Sequence, residues 1–265
     1  MSAKDSAAEP VLLRRDEDGI ATLTLNRPGA LNALSVALMA AFQAAIDAIA
    51  EDRSVKVVVI AGAGPGFCAG HDLREMRANP GRQHYEALFG QCSRLMMSIV
   101  KLPKPVIARV HGIAAAAGCQ LVATCDLAVA ASDARFAVNG INVGLFCSTP
   151  MVALSRAVGR KPALEMLLTG DFVAAEQARA IGLVNRVVAP ERLDDEVKAL
   201  AHQIAGKLNL AVAIGKEAFY RQAELGLEDA YAYTGEVMTK NMLARDTEDG
   251  IDAFLAKRPP PWQKP

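Results

Sequence analysis

The chain carries no net charge: its 29 Lys and Arg side chains are balanced by 29 Asp and Glu. That balance leaves no overall field to draw it to nucleic acid or to an anionic membrane, so no nucleic-acid partner is expected. Five cysteines (68, 92, 119, 125 and 147) contain no C-x-x-C pair and are odd in number. This argues against a disulfide framework and for a reducing compartment. The N-terminal stretch MSAKDSAAEP lacks an apolar core, so no secretory signal is expected. The longest uncharged run, Phe136 to Ser155, holds Asn139, Gly140, Asn142, Gly144, Ser148, Thr149 and Pro150. It has too many polar groups and breaks for a membrane span. A soluble, cytoplasmic protein without a membrane span is the resulting expectation.

What is present points to a large core. Hydrophobic residues make up 52% of the 265 positions and charged ones 22%, enough for one large domain or a domain with an appendage. Val11–Arg15 and Ile20–Leu25 flank Asp18-Gly19, the turn chemistry of a hairpin. Ser35 can cap a helix to about Asp52, with Leu38, Phe42, Ile46 and Ile49 on one face. Short apolar strands then recur at Lys56–Ile60, Pro105–Val110 and Leu127–Ala131, followed by Arg135–Val138. Strands of this kind separated by helices give an α/β core. After about Glu191 the pattern is helical, near 191–206, 209–225, 227–243 and 246–256.

Two segments rich in small residues can present backbone N–H groups. The first, Gly62-Ala-Gly-Pro-Gly66 leading to Ala69-Gly70, departs from a dinucleotide fingerprint because Phe67 and Pro65 break the G-x-G-x-x-G pattern. The second is His111-Gly-Ile-Ala-Ala-Ala-Ala-Gly118. If Ala116–Gly118 open a helix, their N–H groups lack intrahelical acceptors, and methyl side chains let a ligand oxygen approach. Two such segments could each aim one N–H at a single oxygen, the arrangement of an oxyanion hole. Close helix–strand packing through alanine is the plainer reading of the same composition.

Several motifs occur in order: Leu25-Asn-Arg-Pro28, Leu31-Asn-Ala-Leu34, Phe67-Cys-Ala-Gly-His-Asp-Leu73, Lys104-Pro-Val-Ile107, His111-Gly112 through Gly118-Cys119, Cys125-Asp126, and Leu168-Thr-Gly170 with Ala178–Val184. The chain in this respect resembles the enoyl-CoA hydratase/isomerase (crotonase) family. The resemblance implies a crotonase-type (ClpP/crotonase) α/β spiral of β-β-α turns over residues 11–190, preceded by a flexible N-terminus at 1–10. It also implies a C-terminal helical oligomerisation region at 191–265, hence a homotrimer or a hexamer built as a dimer of trimers. The ligand it implies is an acyl-coenzyme A thioester, with no permanently bound cofactor and no metal. Its oxyanion hole would fall on the N–H groups of His71 and Ala117.

Hydratases of the family add two glutamates, and the corresponding positions here are Gln120 and Gly140. An amide has no proton-transfer pKa in the useful range and glycine offers no side chain, so weak hydration of crotonyl-CoA is expected. Decarboxylation of a malonyl-type CoA, where loss of CO₂ itself generates the enolate, and acyl-CoA binding without turnover are the alternatives. Ser148 lies near where other relatives carry a carboxylate, although Thr149-Pro150 beside it reads as a helix cap. Cys147 could be a nucleophile with His111 as its base, although a buried small-residue role is the plainer reading. Ala69, Asp72 and Leu73 fall on the first loop, and Arg27, Arg74 and Lys257 are candidates for the coenzyme A phosphates.

Overall fold

The computed structural model describes residues 9–263. The flexible segment expected at 1–10 therefore lies, except for its last two positions, outside the described residues. Leu12–Glu17 (β1) and Ile20–Leu25 (β2) pair antiparallel around Asp18-Gly19, both left-handed with φ of 52° and 78°. Val36–Glu51 (α1) starts at Ser35, whose hydroxyl accepts the Leu38 N–H. Val57–Gly62 (β3), Leu73–Ala78 (α2), Arg82–Lys101 (α3) and Val106–Val110 (β4) follow. Next come Ile113–Ala115 (β5), Ala117–Thr124 (α4), Leu127–Ala131 (β6) and Arg135–Ala137 (β7).

A short 3₁₀ turn at Asn139–Val143 leads to Pro150–Ala157 (α5) and Arg160–Thr169 (α6). Val173–Ala174 (β8), Ala175–Ala180 (α7) and Arg186–Val188 (β9) complete the spiral. Leu193–Ala205 (α8), Asn209–Gln222 (α9), Leu227–Met242 (α10) and Arg245–Leu255 (α11) close the chain.

The main sheet has the order β1-β2-β3-β4-β6-β9 and is parallel from β2 onward. A smaller sheet, β5-β7-β8, stands beside it. The chain steps from the large sheet to the small one within a turn: β4 ends at Val110, Gly112 takes φ +58°, and β5 begins at once. The alanine segment thus leaves a strand of the second sheet, not β4 directly as the sequence suggested. Three-residue strands carry too little pattern to be seen in advance.

The apolar strands are buried on both faces, and period-two alternation divides them. Val58, Ile60, Ala108, Val110, Ala128 and Ala130 join the main core with α1, α3 and α4. Val57, Val59, Ile107, Val129 and Ala131 face the other way, against Leu193, Val197, Leu200 and Ala201 of α8. Helix α8 is therefore a layer of its own chain's core. Beyond it, Phe219, Leu227, Tyr231, Met238, Leu243 and Phe254 of the last helices stand exposed.

A buried ion pair fastens α9 to this core. Lys216 Nζ donates to Asp126 Oδ2 at 2.7 Å, Ile99 O at 2.9 Å and Lys104 O at 3.0 Å, which occupies all three of its protons. Asp126 also accepts from the Val106 N–H and the Tyr220 hydroxyl. The two charged side chains are only 6% and 15% exposed. Removing one partner strands the other charge, so Lys216→Met is expected to lower the unfolding free energy by about 3–5 kcal/mol. Lys216→Met with Asp126→Asn should recover part of that loss, both read from urea denaturation midpoints.

Candidate functional site

The first loop is organised by Asn32, a fully buried residue with φ of 55°. Its amide donates to Ala63 O and Gly66 O, each at 2.8 Å, and its Oδ1 accepts the Arg27 N–H. The turn after β3 is thereby folded on itself, with no helix following the glycines and no dinucleotide-type loop. Phe67 N–H then donates to His111 O, Cys68 N–H to Ile113 O, and Cys68 O accepts from Ala115 N–H. Further along, Leu34 N–H donates to Gly70 O, and Asp72 N–H donates to Leu34 O. In such a parallel bridge the intervening amide turns the opposite way. Among the described residues, the His71 N–H has no acceptor.

The second amide sits at the start of α4. Ala116 holds φ 48° and ψ −117°, a backbone conformation disfavoured for any residue with a Cβ. Its N–H is held by Ala137 O, and its carbonyl accepts from the Gln120 N–H. Ala117, at the first helical position, has no intrahelical acceptor, and its N–H is likewise without one among the described residues. The two segments are in contact through glycine. A Cβ on Gly118 would lie 2.0 Å from Cys68 O, and one on Gly70 would lie 2.9 Å from Ala116 Cβ and 3.2 Å from Ala117 N. Both unpaired amides therefore belong to residues at one junction.

A cavity of about 380 Å³ opens there. Ala69, His71, Ala116 and Ala117 line it, with Leu73, Met76 and Phe89 adding apolar surface. Asn139, Gly140, Cys147, Ser148 and Thr149 line it as well. Among the described residues, none that lines the cavity carries a carboxylate, ammonium or guanidinium group. The His71 ring packs edge-on to Phe89 with centroids 5.6 Å apart, and both of its nitrogens are buried without a partner. Burial pushes its pKa below the ordinary histidine value, against smaller opposing effects of the Leu34 backbone and Glu75, which disfavours the charged ring. Asn139 was missed in the sequence, although it adjoins Gly140 in the run searched for a carboxylate.

Gly140 has no room for a side chain. A Cβ there would lie 2.3 Å from Leu145 O and 2.9 Å from Cys147 Sγ, and its N–H donates to that sulfur at 3.4 Å. Burial raises the Cys147 thiol above its usual pKa, which opposes a nucleophilic thiolate. His111 is not its base: the ring does not line the cavity and is bound to Arg109 and Gly64 O. Gln120 lies one turn along α4 from Ala116 and Ala117, on the same helix face and 4% exposed. Its Oε1 has no partner among the described residues, and Gln120 is not one of the residues that line the cavity. Thr149 occupies the cap position of α5 but is already helical at φ −74°, ψ −41°, and its side chain makes no cap bond. The expected cap is thus absent, and Thr149 and Ser148 are lining residues.

The basic candidates are placed differently from expectation. Arg27 donates to Ala33 O at 2.6 Å and to Asp72 at 2.9 Å, so it staples the loop and is not poised for a phosphate. Asp72 also accepts the Arg74 and Glu75 N–H groups as the cap of α2, and the Arg27 bond holds its carboxyl below the usual carboxylate range. Neither residue lines the cavity. Arg74 is exposed on α2, while Lys257 lines a separate surface hollow with Phe254, Leu255, Arg258 and Pro259. Ala69 and Leu73 are the expected loop positions that do reach the cavity.

Residues 15–265 match the family model described as enoyl-CoA hydratase/isomerase. The chain belongs to the enoyl-CoA hydratase/isomerase family. Among solved structures of the family, an enoyl-CoA hydratase from Mycobacterium smegmatis superposes with a TM-score of 0.94 at 61% identity, covering 97% of this chain and all (100%) of the other. The human "enoyl-CoA hydratase domain-containing protein 3, mitochondrial" is 47% identical over 94% of this chain and 82% of its own length. The rat protein of the same name is 45% identical over 94% of this chain and 83% of its own. These names overturn the cytoplasmic expectation, because the compartment they give is the mitochondrion. Missing secretory apolarity speaks only about secretion, and unpaired cysteines suit any reducing interior. No described helix is long and apolar enough to cross a membrane.

Crowding at Gly140 gives a direct test of this enoyl-CoA hydratase/isomerase fold. Gly140→Ala is expected to lower the unfolding free energy by about 1–3 kcal/mol through overpacking against Leu145 O and Cys147, read from denaturant midpoints at unchanged m-value.

Proposed function

We propose that the protein binds acyl-CoA thioesters and polarises the thioester carbonyl, with weak activity as a hydratase. The observation that supports this reading is the pair of unpaired backbone N–H groups, His71 and Ala117, on residues that meet at one cavity. Donors fixed in advance at a dry site stabilise negative charge as it develops on an oxygen, and losing one typically costs about 10²–10³ in rate. Here the charge is that of an enolate on the thioester oxygen. The small side chains at 69, 70, 116, 117 and 118 let that oxygen come close.

Proton movement is the missing half. The cavity wall holds amide, hydroxyl and thiol groups and an imidazole whose nitrogens are shielded. The Gln120 amide can order a water but cannot take or return its proton. Gly140 contributes only backbone. Decarboxylation would need no base for its first step, yet a malonyl-type carboxylate would enter a cavity without a cation in its wall, leaving a charge unpaired. A neutral acyl group fits better. The same absent carboxylates also favour, as a second reading, a binder that does not turn its ligand over.

We further infer a homotrimer or a dimer of trimers, supported by the apolar side chains that α9, α10 and α11 leave exposed. Arg74 remains a candidate contact for the coenzyme A phosphates.

Melting temperature measured with coenzyme A, crotonyl-CoA and malonyl-CoA should rise most with crotonyl-CoA. Crotonyl-CoA hydration should be slow in the native protein and rise by about 10²-fold or more in Gln120→Glu. Native turnover near the ordinary enzyme range of about 10 s⁻¹ would refute weak hydration. A melting temperature indifferent to every thioester would refute the ligand class. Binding with no rise in Gln120→Glu would leave the second reading, a binder without turnover.

A further inference from the structure

The turn that leads from β3 to the His71 amide is held on one side by Asn32 and on the other by the dipeptide His111-Gly112. The His111 carbonyl accepts the Phe67 N–H at 3.0 Å. Gly112, at φ +58°, lets the turn lie against it: a Cβ there would be 2.2 Å from Pro65 O and 2.9 Å from Gly66 Cα. The His111 ring makes two further bonds, Nε2 with Gly64 O at 2.8 Å and Nδ1 with an Arg109 guanidinium nitrogen at 3.0 Å. A carbonyl can only accept and a guanidinium can only donate. The proton must therefore sit on Nε2 and the lone pair on Nδ1, which fixes the tautomer of the ring. Arg109 is anchored in turn by Asp194 at the start of α8. A continuous path of polar contacts thus runs from the helix covering the far face of the sheet to the turn that sets the first amide.

We propose that His111 is a positioning residue for the His71 amide, acting through Gly64 and Phe67, with Arg109 and Asp194 fixing its ring. This rests on the reading that the His71 N–H meets a thioester oxygen. Losing the ring's bond to Gly64 frees one side of the turn, and the amide loses its aim while the rest of the cavity stays in place. Misplacement of a reacting group by about 1 Å can cost about 10²-fold in rate, although binding need change little.

The test uses the full chain and a conjugated 2,4-dienoyl-CoA, whose absorption moves to longer wavelength when its carbonyl accepts hydrogen bonds. Native protein is expected to produce this red shift on binding. In His111→Leu the shift should fall by roughly half or more while the dissociation constant changes less than about tenfold. His111→Gln retains a donor for Gly64 O and an acceptor for Arg109, and should restore the shift. A merely structural His111 would lower the melting temperature and leave the shift of the bound probe intact, so a full shift in His111→Leu overturns the proposal. Should His111→Leu fail to fold, Arg109→Met keeps every backbone bond of His111: a partial loss of shift supports the proposal and an unchanged shift overturns it. A native protein that binds the probe without any shift would sink the carbonyl reading itself, and this inference with it.

Discussion

The contact of the Cys68 carbonyl with Gly118 governs the rest of the site. With a Cβ on Gly118 only 2.0 Å from that oxygen, the β3 loop could not reach the head of α4. Because the approach is this close, Cys68 can be shared with β5, Gly70 can lie beside Ala117, and the amides of His71 and Ala117 belong to one junction. The disfavoured backbone of Ala116 belongs to the same compromise: its N–H and its carbonyl are both committed, and the residue is held where an unconstrained alanine would rarely stay.

At that junction two backbone N–H groups are without acceptors among the described residues, and donors fixed in advance in this way need no reorganisation to meet an oxygen. Gln120 stands one turn further along α4. It is a buried carboxamide with an unpartnered oxygen, an arrangement that costs about 1–3 kcal/mol until water or ligand meets it.

Much of this was legible from residue type and spacing because the signals were local. Asp18-Gly19 made its turn, Ser35 capped its helix, and the alanines before Gly118 opened α4 where small side chains and orphan N–H groups were expected. The strands of the large sheet were readable because burial on both faces leaves uninterrupted apolar runs. What escaped was set by tertiary partners. Arg27 finds Asp72 across 45 positions, and Thr149 is drawn into helical geometry instead of capping. The two- and three-residue strands of the small sheet carry no periodicity, and the mitochondrial names of the relatives concern an address, not a fold.

The cramped backbone at Gly140 has a consequence for the substitutions open to this chain. Replacing one codon at 140 supplies a carboxylate but no place to put it, because Leu145 O and Cys147 Sγ already occupy that space. Any side chain at 140 would require the segment from Asn139 to Ser148 to be re-laid, whereas a change at Gln120 is one side chain deep.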